Sequence, residues 1–327
     1  MIKKDGLFLF FYRLFASFAI KYVFLISDRM KRLLLLVLWV WVACFTAASH
    51  NYMFKHLEVK DGLSNNQVNA IYKDSHGFMW FGTASGLNRY DGYDTRIYRS
   101  LKDDGNSLPD SYIEDIQEDA TGNLWVRTGA GYAIYNSVSD IFDRNVEGWM
   151  WHIGISGNPS TVYIDSEKIF WIYVAGKGIY CYKPGQENAV MVAGTDTLLT
   201  EMNITDMTEC SEGILLAFGN GVLACLDREK LNVKWTFDGI ASQWGKNQSE
   251  TFTLFVDSHE RVWMYSVEGM WVYHLPKKSW EVRSVRSDRS NMVRAISQDK
   301  YGNIWIGRDQ DGIEVRSEER RVGKECR

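Results

Sequence analysis

Six acidic residues each stand six positions ahead of a large apolar side chain. They are Asp74 before Trp80, Asp119 before Trp125, Asp165 before Trp171, Glu209 before Leu215, Asp257 before Trp263 and Asp299 before Trp305. Two chemistries are open to such a set. Carboxylates held in pairs do acid/base work, as in glycoside hydrolysis, and exposed tryptophans stack on sugar rings. The spacing argues against both. Successive Trp positions lie 45, 46, 44, 48 and 42 residues apart, so each carboxylate belongs to its own copy of one unit rather than to a convergent pair. The plainer reading is structural: the acid caps the amides of a turn, and the aromatic packs one unit against the next.

Other reactive groups add little. The six histidines and five cysteines show no CxxC or Cys/His spacing, so no metal, disulfide framework or cofactor is expected. Cys181, Cys210 and Cys225 read as small hydrophobes. Cys181 lies three residues after its repeat glycine and Cys225 four after its own, so they face opposite sides of their strands, and a disulfide between them is not expected.

The elements that must carry these residues are strands. In the first copy, Gln67–Tyr72, Phe78–Thr83, Leu87–Tyr90 and Thr95–Arg99 alternate in character and are separated by Asp74-Ser-His-Gly77, Ala84-Ser-Gly86 and Asp91-Gly-Tyr93. Period-two segments between glycine turns form antiparallel hairpins. A period near 45 without helical patterning is the length of a four-stranded propeller blade. The expected fold is all-β, a β-propeller with repeats near 67–100, 112–143, 161–183, 204–236, 251–283 and 292–315. Residues 53–60 are expected to add a strand to the last blade.

With 327 residues, 46% hydrophobic and 24% charged, the chain has ample material for a core. The overall charge of −4 hides an acidic middle: residues 50–315 hold 36 acidic and 25 basic side chains. Nucleic acid is therefore excluded as a partner. At the N-terminus, Met30-Lys-Arg32, the apolar run Leu33–Phe45 and the small residues Thr46–Ser49 form a secretory signal over 30–49, with an N-terminal anchor helix as the alternative. Residues 1–29 read as upstream translation or a first membrane segment. The stretch 316–327 reads as a non-native tail with no strand pattern, leaving 50–315 as the propeller domain.

The string at Asp74–Asp91, Asp-x-x-Gly-x-x-Trp-Phe-Gly-Thr-x-x-Gly-Leu-x-x-Tyr-Asp, resembles the two-component regulator propeller repeat. So do the entry segment 54–71 and Gly302-Asn-Ile-Trp-Ile-Gly307. The resemblance implies a seven-bladed propeller from the extracytoplasmic sensor half of a hybrid histidine kinase, of which six blades are visible here. It also implies a periplasmic position in an inner-membrane protein, an oligosaccharide ligand, downstream propeller, membrane and kinase domains, and a homodimer in the intact protein. No kinase box or Gly-rich ATP lid is present in this sequence, so no enzyme activity is expected of the fragment. A propeller-scaffold enzyme acting on glycans and a protein-interaction propeller are the alternatives.

Ligands of propellers bind on the faces where loops gather. Two connections exceed the repeat: Val146–His152, carrying Trp149 and Trp151, and Gly239–Gln248, carrying Trp244. These three tryptophans are the expected ligand contacts.

Overall fold

Among the described residues, twenty-four strands form six four-stranded sheets, and in each sheet the spatial order of the strands is their order in the chain. The computed structural model describes residues 54, 56–194, 203–238, 250–285, 292–309, 312–316 and 321–325, with backbone alone in 281–285 and 321–325. The signal at 30–49, the segment 1–29 and Trp244 lie outside the described residues. Six blades in a propeller arrangement are seen among the described residues; the seventh implied by the resemblance is not among them.

Each blade is an antiparallel meander of the expected kind. In blade one, Val68–Lys73, Met79–Thr83, Gly86–Tyr90 and Thr95–Tyr98 pair in sequence, within a residue or two of the sequence-derived bounds. Alternation along each strand sends one set of side chains to the preceding blade and the other to the next. Trp80 and Leu87 of blade one thus meet Leu124, Val126, Ala133 and Tyr135 of blade two. Blade two turns its other face, Trp125 and Tyr132, onto Phe170, Ile172 and Val174 of blade three. The same exchange links blades three to four, four to five and five to six. No single sheet could bury both faces alone, so the core is a row of inter-blade layers.

Polar joints reinforce these layers. The amide and hydroxyl of Ser75 donate to Glu118 Oε1 of blade two at 3.1 and 2.6 Å. Ser166 does the same to Glu209 Oε2 of blade four, and Ser211 to Glu260 Oε2 of blade five. Between blades five and six, the Ser258 amide donates to Gln298 Oε1, and Gln298 Nε2 donates to the Ser258 hydroxyl. Ala120 and Ile164 occupy the corresponding places between blades two and three, where Lys168 Nζ instead donates to the Glu118 carbonyl.

The register corrects the sequence alignment in blade four. Trp80, Trp125, Trp171, Trp263 and Trp305 each pair with the residue two before their Asp. Leu215 pairs with Thr208, which makes Cys210, not Glu209, the counterpart of those aspartates. The turn of blade four is one residue shorter, so the six-residue offset from Glu209 to Leu215 was a coincidence of that deletion. Glu209 corresponds to Glu118 and Gln298, and like them it receives a serine of the preceding blade.

Three local expectations also change. Within 53–60 no strand is described. Val59–Asp61 is a 3-10 turn closed by a reciprocal bond between the Glu58 amide and Asp61 and ended by Gly62 in the left-handed region. Residues Arg321–Glu325 form the fourth strand of blade six, paired with Gly312–Arg316, although their sequence lacks alternation. Backbone hydrogen bonding to a neighbouring strand carries this element where patterning does not. The connection Val146–His152 is an α-helix, α1, whose N-cap Asn145 accepts the Gly148 amide at 3.1 Å.

Candidate functional site

The repeated aspartates are fully engaged in their own turns. Asp74 accepts the Phe78 amide on Oδ1 at 2.9 Å and the Trp80 indole N–H on Oδ2 at 2.7 Å. Asp119, Asp165, Asp257 and Asp299 clamp Trp125, Trp171, Trp263 and Trp305 in the same way, at 3.2, 3.0, 2.8 and 3.0 Å. One carboxylate therefore ties the turn to the aromatic that packs the next layer. At Asp299, burial pushes the carboxyl up, but donors from Asn303, Trp305 and the Tyr301 amide outweigh it and lower it to about 2. Asp299 is therefore a poor proton carrier near neutral pH.

The two tryptophans of α1 have different fates. Trp149 lies within an aromatic cluster, 4.6 Å from Trp125, 5.2 Å from Phe170 and 5.6 Å from Tyr182 between ring centroids. It fills the layer between blades two and three. Trp151 is 74% exposed, on the opposite side of the helix, and His152 beside it is exposed as well. Two residues along a helix turn the side chain through about 200°, which separates the pair. Only Trp151 of the two offers a free ring.

Sequence reasoning missed the central cavity. The first strands of blades one to five enclose about 490 Å³, lined by Tyr72, Asp115, Gln117, Tyr163, Asp206 and Glu209 among others. Four first strands, in blades one, two, four and six, carry a bulge at the same place, and the residue after it is Ala70, Asp115, Asp206 or Ala295. Asp115 and Asp206 thus stand where two other copies have alanine, and an alignment of the copies at that column would have exposed them. Gln117 fastens this wall: its Nε2 donates to Asp115 Oδ2 at 2.6 Å and to the Val162 carbonyl at 2.9 Å, and its Oε1 accepts the Ile164 amide.

Asp206 accepts the Leu254 amide on Oδ2 at 2.7 Å and the Met207 amide on Oδ1 at 2.8 Å. Burial nevertheless pushes it up to about 7, helped by the like charge of Asp115 and opposed by those amides and Arg127. A carboxyl that titrates near neutrality donates or accepts hydrogen bonds as pH changes, which suits a hydroxyl-bearing or cationic guest. A raised folded value means the native state holds a proton that the unfolded chain, near 3.8, has released. Its contribution is then complete at pH 4 and below and is lost as pH climbs to about 7. Asp206→Asn should remove this slope. In urea titrations the variant should gain on the parent between pH 4 and 8, by at most about 4 kcal/mol and by less where channel water reaches the carboxyl. Parallel pH profiles for the two proteins would contradict the assignment.

Among the described residues no cluster of three or more potential metal ligands occurs, and no helix is long and apolar enough to cross a membrane.

Among the described residues, six meandering blades with an Asp–Trp clamp in five of them define a β-propeller of repeated blades. Residues 62–85, 107–130 and 287–307, which fall in copies one, two and six, match the family described as two component regulator propeller. A segment of 62 residues is 40% identical to "Histidine kinase P4" of Formosa agariphila, covering 19% of this chain and 4% of that protein. The fold resembles the extracellular domain of the putative hybrid two component system BT3049 from B. thetaiotaomicron, with TM-score 0.61, 18% identity, and coverage of 82% of this chain and 36% of that one. The extracellular domain of BT4673 from the same organism gives TM-score 0.58 and 19% identity, over 85% of this chain and 39% of that one. Virginiamycin B lyase from Staphylococcus aureus shares the architecture at TM-score 0.52 and 9% identity, over 77% of this chain and 82% of that one. The chain thus spans well under half the length of the extracellular domains it resembles.

Proposed function

We propose that this propeller is the ligand-sensing part of an exported two-component signalling protein, lying in the periplasm and acting through membrane and histidine-kinase segments elsewhere in the intact protein. The observation that carries the reading is the match of three separate blades to the two component regulator propeller family, in a fold resembling extracellular domains of putative hybrid two-component systems. The ligand class is a carbohydrate fragment, and the role of this part is binding, not turnover. The Asp–Trp clamps are consumed by structure, which leaves Trp151 as a stacking platform and the Asp115–Asp206 channel as a polar recess. Binding energy would act by favouring one of two arrangements of the sensor, so only a ligand with unequal affinity for them would signal.

The test is a reporter strain carrying the intact gene, challenged with a panel of oligosaccharides. A response to one class supports the reading. No response to any glycan, together with hydrolysis of one by the purified propeller, favours a propeller enzyme instead. Trp151→Ala should weaken binding of the active glycan by about tenfold or more, the worth of a lost aromatic contact. Because the ring is exposed, melting should stay within about a degree of the parent. Unchanged affinity by calorimetry would remove Trp151 from the site.

A further inference from the structure

The helix α1 turns a bare indole outward and is pinned at both ends. At its start, Asn145 Oδ1 accepts the Gly148 amide at 3.1 Å. Gly148 has no room for a side chain, because a β-carbon there would collide with the Asn145 side chain. At its end, Gly154 takes φ +80°, its amide donates to the Trp151 carbonyl at 3.1 Å, and the Ile155 amide donates to the Met150 carbonyl at 2.9 Å. Those two bonds around a left-handed glycine make a Schellman end. The Ala189 amide, from blade three, donates to the Ile153 carbonyl at 2.8 Å. Val146 and Met150 are buried, and Trp149 is held among its aromatic neighbours. Glu147 shares the outer face with Trp151. The two stand one helical turn apart, and both are exposed. Such i, i+4 pairs have β-carbons roughly 5–6 Å apart. Helical side chains lean toward the N-terminus, so the indole at 151 lies over the turn that carries Glu147 and Gly148. Among the described residues no hydrogen bond or ion pair engages the Glu147 carboxylate. Arg144, the nearest cation in the chain, is turned onto the 104–108 loop, where Nε and Nη2 donate to the carbonyls of Asp104, Ser107 and Leu108 and to the Ser107 hydroxyl. His152 is exposed as well, but adjacent residues of a helix point about 100° apart. The 36 acidic and 25 basic residues of 50–315 give the wider field the same sign as Glu147.

We propose that Glu147 is the specificity-determining residue of the Trp151 platform, and that the guest is a carbohydrate bearing a protonated amine rather than an acidic or sulfated one. The proposal rests on the reading of Trp151 as a carbohydrate platform. The apolar face of the sugar ring stacks on the indole. The ammonium group is drawn to the same π face and donates to the Glu147 carboxylate, a charge-assisted bond stronger than one from a neutral hydroxyl. A carboxylated or sulfated sugar meets the like charge of Glu147 instead, so one side chain both attracts and rejects. Because both ends of α1 are fixed before a guest arrives, binding loses little to ordering the helix. The pair is solvent-exposed, so the preference is a severalfold one.

Fluorescence quenching of the full chain reads the charge at the ring without any glycan. The chain has 13 tryptophans, and the signal due to Trp151 is the difference between the parent and Trp151→Phe. With each quencher scaled to its effect on free N-acetyltryptophanamide, and at equal ionic strength, caesium should quench that signal about twofold more than iodide, with acrylamide between them. Glu147→Gln should bring the three together; the residue is exposed, so the variant should fold as the parent does. Calorimetry then compares glucosamine oligomers, their N-acetylated counterparts and oligogalacturonides, at a pH where the amines are charged. Affinity should fall in that order, with the amine form about fivefold tighter than the N-acetylated one. Glu147→Gln should reduce that ratio to less than about twofold, and Trp151→Ala should weaken all three. Equal or inverted quenching, an affinity order that Glu147→Gln leaves unmoved, or tightest binding of the acidic oligomers would each overturn the proposal. If the quenching order holds but Trp151→Ala weakens no glycan, the carbohydrate platform itself is what fails, and the amino-sugar assignment falls with it.

Discussion

Trp80→Ala is expected to destabilise the propeller by about 3–5 kcal/mol, the range for truncating a large buried aromatic. The indole is 1% exposed and packs within 5.1 Å of the Tyr135 ring and 5.8 Å of the Tyr98 ring. Its loss opens the layer between blades one and two and leaves Asp74 Oδ2 without the indole N–H. Trp80→Phe separates the two contributions. It restores most of the apolar volume but not the donor, and should cost about 1–3 kcal/mol for the orphaned carboxylate. Denaturant titration measures both. A Trp80→Ala protein that melts within a degree or two of the parent would deny the residue its role between the blades.

The second large effect belongs to a glycine. Gly213 has φ +144°, and a β-carbon added to it would lie 1.9 Å from the backbone oxygen of Leu226. That oxygen belongs to the neighbouring strand, so the clash cannot be relieved by a side-chain rotation. Gly213→Ala should cost at least about 3 kcal/mol, from strained backbone and a displaced strand together. Gly77→Ala is the control. Its φ is also positive, at +93°, but nothing lies within 4 Å of the added carbon, and about 1 kcal/mol is expected. Equal unfolding midpoints for the two variants would show that the approach of Leu226 to Gly213 does not matter.

The blades were legible in the sequence because three local signals agreed: alternation, glycine turns and an aspartate at a fixed distance from a tryptophan. Each acts within about 30 residues, and each leaves its mark in residue type. What was illegible depends on groups far apart in the chain. Asp115 and Asp206 look like ordinary strand residues until neighbouring first strands enclose a channel. The sulfur in blade four was hidden by a deletion that happened to preserve the six-residue offset, and pairing register exposed it. Arg321–Glu325 carries no alternation, so only its partner strand defines it. Trp149 and Trp151 looked equivalent as members of a long connection. The helix that Asn145 caps sends one inward and the other out, and a span of seven residues gave too little periodicity to read.

The consecutive order of strands within every sheet bears on how such a chain can change over time. Among the described residues each sheet is made of the strands of one blade, with a lone bridge from Ala193 to Asn232 between blades three and four, and four of the five joints are packed by a repeat tryptophan, Leu215 taking its place between blades four and five. A gene segment encoding about 45 residues is therefore a nearly self-contained unit of heredity. It can be duplicated, and its copies can drift, without breaking a ladder elsewhere. Ala120 with Ile164, and Cys210 with Leu215, have the look of such drift: single blades that lost a shared device and kept their place in the ring.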